Sequence, residues 1–198
     1  VEVYRILGQA LLQRANYEAD PSLYDQAIDV FRRVLTVLPD DYVAHVGLSE
    51  IFEQQEILDR AIWHLERAYE QLPNNNELRA KLSKLIALRD GTETGKVQLT
   101  VGALARQYAN DHQYDRALLE LRSVLGESGG RVDLQLLSAH ILWESGRNVD
   151  AGKVAAQVLK QLPYCRDANR IMAQLWIDNG RPTDAKLFLD RIEAVDPY

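Results

Sequence analysis

Two stretches of this chain are nearly the same, and their spacing decides the fold. "LWESGRNVDA" covers Leu142–Ala151 and "WIDNGRPTDA" covers Trp176–Ala185. They align residue for residue, with Gly180 following Gly146 by 34 positions. A repeat of this length is typical of proteins built from stacked helical hairpins, because each hairpin buries its apolar face only against its neighbours.

The same spacing recurs in two other residue types. Alanine follows it in two series, Ala27–Ala61 and Ala117–Ala151–Ala185. Proline follows it in the pairs Pro39–Pro73 and Pro163–Pro197. Agreement between residue types with unrelated chemistry indicates a structural repeat that covers most of the chain.

Within each repeat the apolar residues have helical spacing. Leu104, Ala105 and Tyr108 precede the turn "NDHQYDR", and Ala117, Leu118 and Leu121 follow it. This pattern predicts two amphipathic helices of about 12–14 residues joined by a short turn. Glycine at the turn lets the first helix end in a left-handed conformation. Alternating strand-like runs are missing, so we predict an all-α chain.

The repeats resemble the tetratricopeptide repeat, whose signature is W-x2-L-G-x2-Y, then A-x3-F, then P. The first repeat carries the signature through Tyr4, Leu7, Gly8, Leu11, Ala27, Phe31 and Pro39. The last carries it through Met172, Ala173, Trp176, Ala185, Leu189 and Pro197. No repeat has tryptophan at the first place, so the repeats are divergent. The resemblance implies a right-handed superhelical solenoid of about five repeats plus one extra helix.

The spacing predicts two sub-arrays. Residues 1–90 would hold two repeats, the first with an insertion around residues 16–25, which means a longer first helix or a small loop led by Pro21. A further helix at about 76–89 would cap this sub-array or bridge to the next. Residues 91–97 would form a linker, and residues 98–198 would hold three repeats.

Composition excludes several classes of protein. Lys and Arg number 23 against 29 Asp and Glu, a net charge of −6, so we expect no nucleic-acid partner. No apolar run approaches the roughly 18–20 residues of a membrane span. The chain starts at Val1 without a secretory pattern, so we expect an excised segment of a longer protein, with the cytoplasm favoured.

Motifs for catalysis lack their structural context. "GESGG" (126–130) fits the serine-hydrolase pattern and "GTETGK" (91–96) resembles a phosphate-binding loop, but no strand precedes either. The four histidines lack metal-ligand spacing, and His64 is expected on an outer helix face. We therefore expect no enzyme activity, no metal and no cofactor.

A partner would bind on the concave side, which the first helix of each repeat lines. Our candidate binding residues are Arg5, Gln9, Glu50, Arg106, His140, Trp143, Arg170 and Gln174. Neighbouring positions on the same faces are Val43, Val46, Leu99, Asp133, Leu136 and Asp167.

Two tryptophans receive different predictions. Trp176 falls at the tyrosine place of its repeat and is expected in the core. Trp143 lies one residue beyond the core-facing Leu142, so its side chain points about 100° away from the core side of the helix. We expect it either to anchor a ligand or to pack against the next repeat.

The prediction for function follows from these features. We expect a non-enzymatic protein-interaction scaffold that binds a peptide or protein through its concave face. The alternative is a structural module that self-associates or spaces the domains of a longer polypeptide.

Overall fold

A computed structural model describes residues 1–18, 20–125 and 130–195. All regular elements in these residues are helices, eleven in number, which confirms the predicted all-α repeat solenoid class. Their bounds are α1 (Glu2–Glu18), α2 (Pro21–Val37), α3 (Tyr42–Gln54), α4 (Leu58–Gln71), α5 (Asn76–Asp90), α6 (Val101–Asn110), α7 (Tyr114–Leu125), α8 (Val132–Glu144), α9 (Asn148–Gln161), α10 (Arg166–Asp178) and α11 (Pro182–Val195). Across the described ranges, no helix is both long and apolar enough to span a membrane.

The turns inside the hairpins share one backbone conformation. Gly146 and Gly180 have positive φ values of 78° and 72°, as the sequence predicted. His112 and Glu56 occupy the equivalent turns and also have positive φ values, 58° and 59°. This left-handed conformation costs a residue with a Cβ atom roughly 1–2 kcal/mol, so packing of the repeats imposes it.

Side-chain caps fix where two of the first helices begin. The Asp41 carboxylate accepts a 2.8 Å hydrogen bond from the backbone N–H of Ala44, which starts α3. The Asn75 side chain accepts from Glu77 and Leu78, at 2.9 and 3.1 Å, and so starts α5. These bonds satisfy N–H groups that have no partner within the helix. The helix expected at about 76–89 is therefore confirmed.

The insertion in the first repeat lengthens its helices. Helices α1 and α2 have 17 residues each, against 12–14 in most later repeats. Pro21 is the first residue of α2, a position where its missing N–H costs no helical hydrogen bond.

Contacts group the chain into two compact units. The first comprises Val1–Leu35 and Asp40–Ala103, and the second comprises Thr36–Pro39 and Leu104–Tyr198. Each unit is described separately below.

The core of the first unit is built around Phe31, which is fully buried. Gly8 on α1 and Gly47 on α3 lie against its ring: a methyl group added at either would lie 2.6 or 2.4 Å from a ring carbon. The aromatic ring therefore occupies space that glycine leaves in two first helices.

Helix α5 is half of a repeat, and extended chain lies along it in place of a second helix. Leu78, Leu82 and Leu85 join the core of the first unit. Residues 92–100 then pass back over α5, where the Ser83 hydroxyl donates a 2.8 Å hydrogen bond to the carbonyl oxygen of Gly95. A methyl group at Gly95 would lie 2.2 Å from the carbonyl oxygen of Ser83, so only glycine fits there. We call residues 92–100 the strap.

The alanines at the 34-residue spacing lie in the core. Ala61 in the first unit and Ala117, Ala151 and Ala185 in the second have no solvent exposure. Gly152 provides a close helix contact, because a methyl group there would lie 2.5 Å from Leu175 of α10.

The structure corrects several predictions made from the sequence, and one predicted motif lies mostly outside the residues that it describes. Leu136, expected in the groove, is buried in the core of the second unit, and Leu99 lies in the strap before α6 begins. Trp176 is half-buried, not core, with the Arg181 guanidinium 4.5 Å from its ring centroid. "GTETGK" begins with the left-handed Gly91 that ends α5, and "GESGG" lies outside the described residues except for its last glycine.

Candidate partner-binding site

Helices α8 and α10 of the second unit enclose a pocket of about 340 Å³. Its lining consists of His140, Trp143 and Glu144 from α8 and Arg170, Ile171 and Gln174 from α10. Four of these six are residues selected from the sequence. Both helices are the first helix of their repeat, the type expected to line the concave side.

Helical spacing brings these side chains to one surface. His140 and Trp143 are three residues apart on α8, and Arg170 and Gln174 are four apart on α10, so each pair shares a helix face. The buried small residues Ala139 and Ala173 lie beside them on the core side of their helices.

Trp143 has two roles in this geometry. Its half-buried side chain packs against the buried cluster of the second unit, as Leu142 and Met172 also do. The same side chain lines the pocket. An indole fixed by the core on one side presents a rigid aromatic surface on the other, which is how binding hot spots are commonly built.

The Asp167 carboxylate organises the charges at the edge of the pocket. Arg166 Nε and Arg170 Nη2 lie 3.6 and 3.8 Å from Asp167 Oδ1, and His140 Nε2 lies 4.0 Å from Oδ2. The Arg170 side chain remains 69% exposed and lines the pocket. The lining therefore combines a cationic group with Glu144, while Ile171 supplies an apolar wall.

A smaller pocket of about 190 Å³ lies between α1 and α3 in the first unit. Gln9 and Glu50, both selected from the sequence, line it together with the apolar Val43 and Val46. The Glu50 carboxylate also lies 3.0 Å from Lys81 Nζ, so an ion pair with α5 holds it in place.

The remaining two candidates have other positions. Arg5 donates a 2.8 Å hydrogen bond from Nε to Asp41 Oδ2, and this bond raises the pKa of Arg5 above its ordinary value. Arg5 therefore ties α1 to the residue that caps α3. Arg106 is partly buried on α6.

The prediction that His64 lies on an outer helix face was wrong. His64 lies partly buried, and its Nδ1 is 2.9 Å from Nδ1 of the buried His45. Its ring also stacks on Phe52, with 5.6 Å between centroids. A hydrogen bond between two ring nitrogens requires one donor and one acceptor, so at least the accepting ring is neutral.

Burial is the largest cause that lowers the pKa of His64 from its ordinary 6.5 to about 3, and electrostatic repulsion from nearby basic groups adds to it. These groups are His45 on α3, Arg67 and Arg60 on α4, and Arg32 on α2. The pair is consequently a structural part of the first unit in which the His64 ring is uncharged at neutral pH.

Sequence reasoning missed two residues of the larger pocket, Glu144 and Ile171. Each directly follows a selected residue in the sequence. Among the residues that the structure describes, no group of three His, Cys, Asp or Glu side chains could hold a metal ion.

Comparison with known proteins identifies the repeats. Two family models, each described as "Tetratricopeptide repeat", match residues 12–76 and 108–175. Together they cover most of the chain and include α8 and nearly all of α10. No curated protein sequence matches the chain significantly.

Solved structures with a similar course of the chain include MamA (AMB-1) and YrrB. MamA has 18% identity and a TM-score of 0.44, with 98% of this chain and 97% of MamA covered. YrrB, described as a TPR protein with an unusual peptide-binding site, has 16% identity and a TM-score of 0.39, with 94% of this chain and 85% of YrrB covered.

Proposed function

Because the chain belongs to the tetratricopeptide repeat family, we propose that it is a non-enzymatic scaffold that binds an extended peptide or protein segment on the first helices of its repeats. The observation that carries the proposal is the pocket between α8 and α10. It combines a rigid aromatic surface, an apolar wall and polar side chains. The polar residues lie 30 positions apart in the sequence, His140 from Arg170 and Glu144 from Gln174.

The chemistry of the pocket suits a peptide. An apolar side chain of the ligand would contact Trp143 and Ile171. Its backbone carbonyl groups or a carboxylate would accept hydrogen bonds from Arg170 and Gln174. The Gln174 amide already donates a 2.7 Å hydrogen bond to Asp178, so its side chain loses less conformational entropy when a ligand binds.

Replacing Trp143 by Ala tests the proposal. A peptide selected from a random displayed library against the immobilised protein would serve as the probe, and fluorescence polarisation would give its affinity. We expect the Trp143→Ala substitution to weaken binding by more than about 1 kcal/mol, the threshold that separates binding anchors from neutral contacts.

The matched control is Leu119→Ala, which removes an exposed apolar side chain of the same unit from α7, away from the pocket. It should leave the affinity unchanged. Equal affinity for the Trp143→Ala variant and its parent would contradict the proposal. A large loss of thermal stability in that variant would instead make Trp143 chiefly a packing residue.

A further inference from the structure

The pocket between α8 and α10 holds a carboxylate that the described part of the chain leaves unpaired. Arg170 lies 3.8 Å from Asp167, so its guanidinium already has a counter-ion. Glu144 is exposed and lines the same pocket, and no hydrogen bond or ion pair from the described residues holds its carboxylate. A ligand with a positive charge therefore finds a partner in Glu144, whereas a ligand with a negative charge competes with Asp167 for Arg170.

The same pocket contains an indole that is open to a cation. Trp143 lines the pocket, and among the described residues no arginine or lysine lies over its ring. The chain has three tryptophans, and the other two are covered. Arg67 Cζ lies 4.7 Å from the ring centroid of Trp63, and Arg181 Cζ lies 4.5 Å from that of Trp176. A guanidinium is attracted to an indole face because the π-electrons give that face a negative potential.

At both covered tryptophans the stacked arginine also has a carboxylate partner. Arg67 Nη2 lies 3.2 Å from Glu70 Oε1, and Arg181 Nε lies 2.6 Å from Asp184 Oδ2. The chain therefore combines an indole, a guanidinium and a carboxylate at two places. In the pocket, the lining supplies the indole and the carboxylate of this combination.

An arginine with suitable spacing follows Trp143 but binds elsewhere. Arg147 lies four residues after Trp143, the same separation as that of Arg67 from Trp63. Its Nη2 donates a hydrogen bond to the carboxylate of Asp115 on α7. The place over the Trp143 ring is thus left to a guanidinium from another molecule.

We propose that this pocket recognises an arginine side chain of the bound peptide, whose guanidinium stacks on Trp143 and pairs with Glu144. The inference rests on the proposed function and names the side chain that the pocket selects. The methylene groups of the arginine supply the apolar contact with Ile171. Arginine suits the pocket better than lysine, because its planar guanidinium stacks on an aromatic ring and donates hydrogen bonds to a carboxylate at the same time.

The expected selectivity is modest because both contacts lie near the surface. Arg170 opposes a cationic ligand only weakly, since its own side chain is mostly exposed and its charge is screened by water and salt. The Glu144 carboxylate is exposed as well. We expect arginine to bind about threefold to tenfold more tightly than citrulline, which has the same shape without the charge.

Titration with a blocked arginine, N-acetyl-arginine methylamide, tests the pocket without a peptide. The indole N–H signals are followed by NMR at constant ionic strength, and the Trp143→Phe variant assigns the signal of Trp143. That signal should shift saturably, while those of the covered Trp63 and Trp176 should change little. Blocked citrulline should bind about threefold to tenfold more weakly. The absence of a saturable shift, equal affinities for the two probes, or tighter binding of blocked glutamate overturns the proposal.

The Glu144→Gln variant tests the second contact. Glu144 is exposed, so the substitution should leave the fold intact, and the preference for arginine over citrulline should fall at least roughly twofold. The matched control is Glu193→Gln, which removes the same charge from an exposed position on α11 outside the pocket and should keep the full preference. An unchanged preference in the Glu144→Gln variant overturns the pairing with Glu144.

The peptide selected from the displayed library separates failure of this inference from failure of the proposed function. Replacing the arginine of that peptide by citrulline should weaken binding by the same factor. A selected peptide that depends on Trp143 but contains no arginine, or that tolerates citrulline, overturns the inference and leaves the proposed function intact. If no peptide binds, the proposed function fails, and the titration with blocked arginine alone decides whether the pocket takes a guanidinium.

Discussion

The α3–α4 hairpin of the first unit and the α8–α9 hairpin of the second are built on the same repeat but have different cores. In α3–α4, the buried Ser49 hydroxyl donates a 2.8 Å hydrogen bond to the carbonyl oxygen of Ala61, and His45 pairs with His64. In α8–α9, Ala139 occupies the place of Ser49 and packs with other apolar residues.

The difference extends to charged residues. Arg67 and Glu70 on α4 are both buried, with 3.2 Å between Arg67 Nη2 and Glu70 Oε1. The corresponding residues on α9, 90 positions later, are Gln157 and Lys160, and both are exposed. The repeat thus sets where the helices lie, while the residues filling the space between them can be polar or apolar.

Substitutions and changes in pH should destabilise the polar core of α3–α4 and the apolar core of α8–α9 in different ways. A buried polar pair is costly when one partner is removed, because the other remains in a medium of low dielectric constant. An apolar core depends mainly on volume and responds little to pH. Three predictions test this distinction.

The largest effect is expected from Arg67→Met, which leaves the Glu70 carboxylate buried without this ion-pair partner. We expect a loss of about 3–5 kcal/mol in the free energy of unfolding, measured by urea denaturation. The matched control Gln157→Met changes the equivalent, exposed residue of α9 and should shift that free energy by less than about 0.5 kcal/mol. Equal effects of both substitutions would remove the contrast between the hairpins.

A smaller effect is expected from Ala151→Leu in the second unit. Ala151 is fully buried between paired helices, so the added volume should cost about 1–3 kcal/mol and lower the melting temperature. Lys153→Leu on the exposed face of α9 is the control. Ala61→Leu in the first unit should cost a similar amount, because both hairpins depend on close packing at this place. An unchanged melting temperature for Ala151→Leu would mean that its helix face has been misassigned.

The third effect depends on pH and concerns α3–α4. The pKa of His64 is about 3 in the folded chain and near 6.5 when unfolded, so acidification protonates the unfolded chain first. The stability contributed by neutral His64 is complete above pH 6.5 and declines as the pH falls from there toward 3. Between pH 7 and pH 5 the loss is about 2 kcal/mol.

Hydrogen exchange measures this loss locally. Protection factors of α3 and α4 amides, corrected for the intrinsic exchange rate, should fall over this range more than those of α9. The His64→Leu variant should lose most of the pH dependence of α3 and α4. If the variant and the parent respond equally to pH, the histidine pair does not control the acid sensitivity of the hairpin.

The periodic residues made the helices predictable. The alanines at the 34-residue spacing mark fully buried positions on their helices. The prediction for His64 was wrong because a polar residue is assigned to the protein surface by default. His64 lies three residues after Ala61, and His45 lies four before Ser49, so both share a helix face with a core residue. That spacing is the sequence feature from which burial of both histidines could have been predicted.

Counting around the first helices selected four residues of the larger pocket, because helix geometry fixes which side chains share a face. Trp176 is only partly buried, and the Arg181 guanidinium lies over its ring. The course of the strap could not be predicted, since extended chain has no helical period and its position depends on the contact of Gly95 with α5. The limits of the two expected sub-arrays remain a prediction.

The strap has a practical consequence for dividing this protein into fragments. Composition suggests a cut near residue 90, where α5 ends at Gly91. Such a cut would remove Val97, which packs against the core of the first unit, and the hydrogen bond between Ser83 and Gly95. The fragment would then expose Leu82 and its neighbours on α5 and would tend to aggregate. A soluble fragment of the first unit should therefore continue through Thr100.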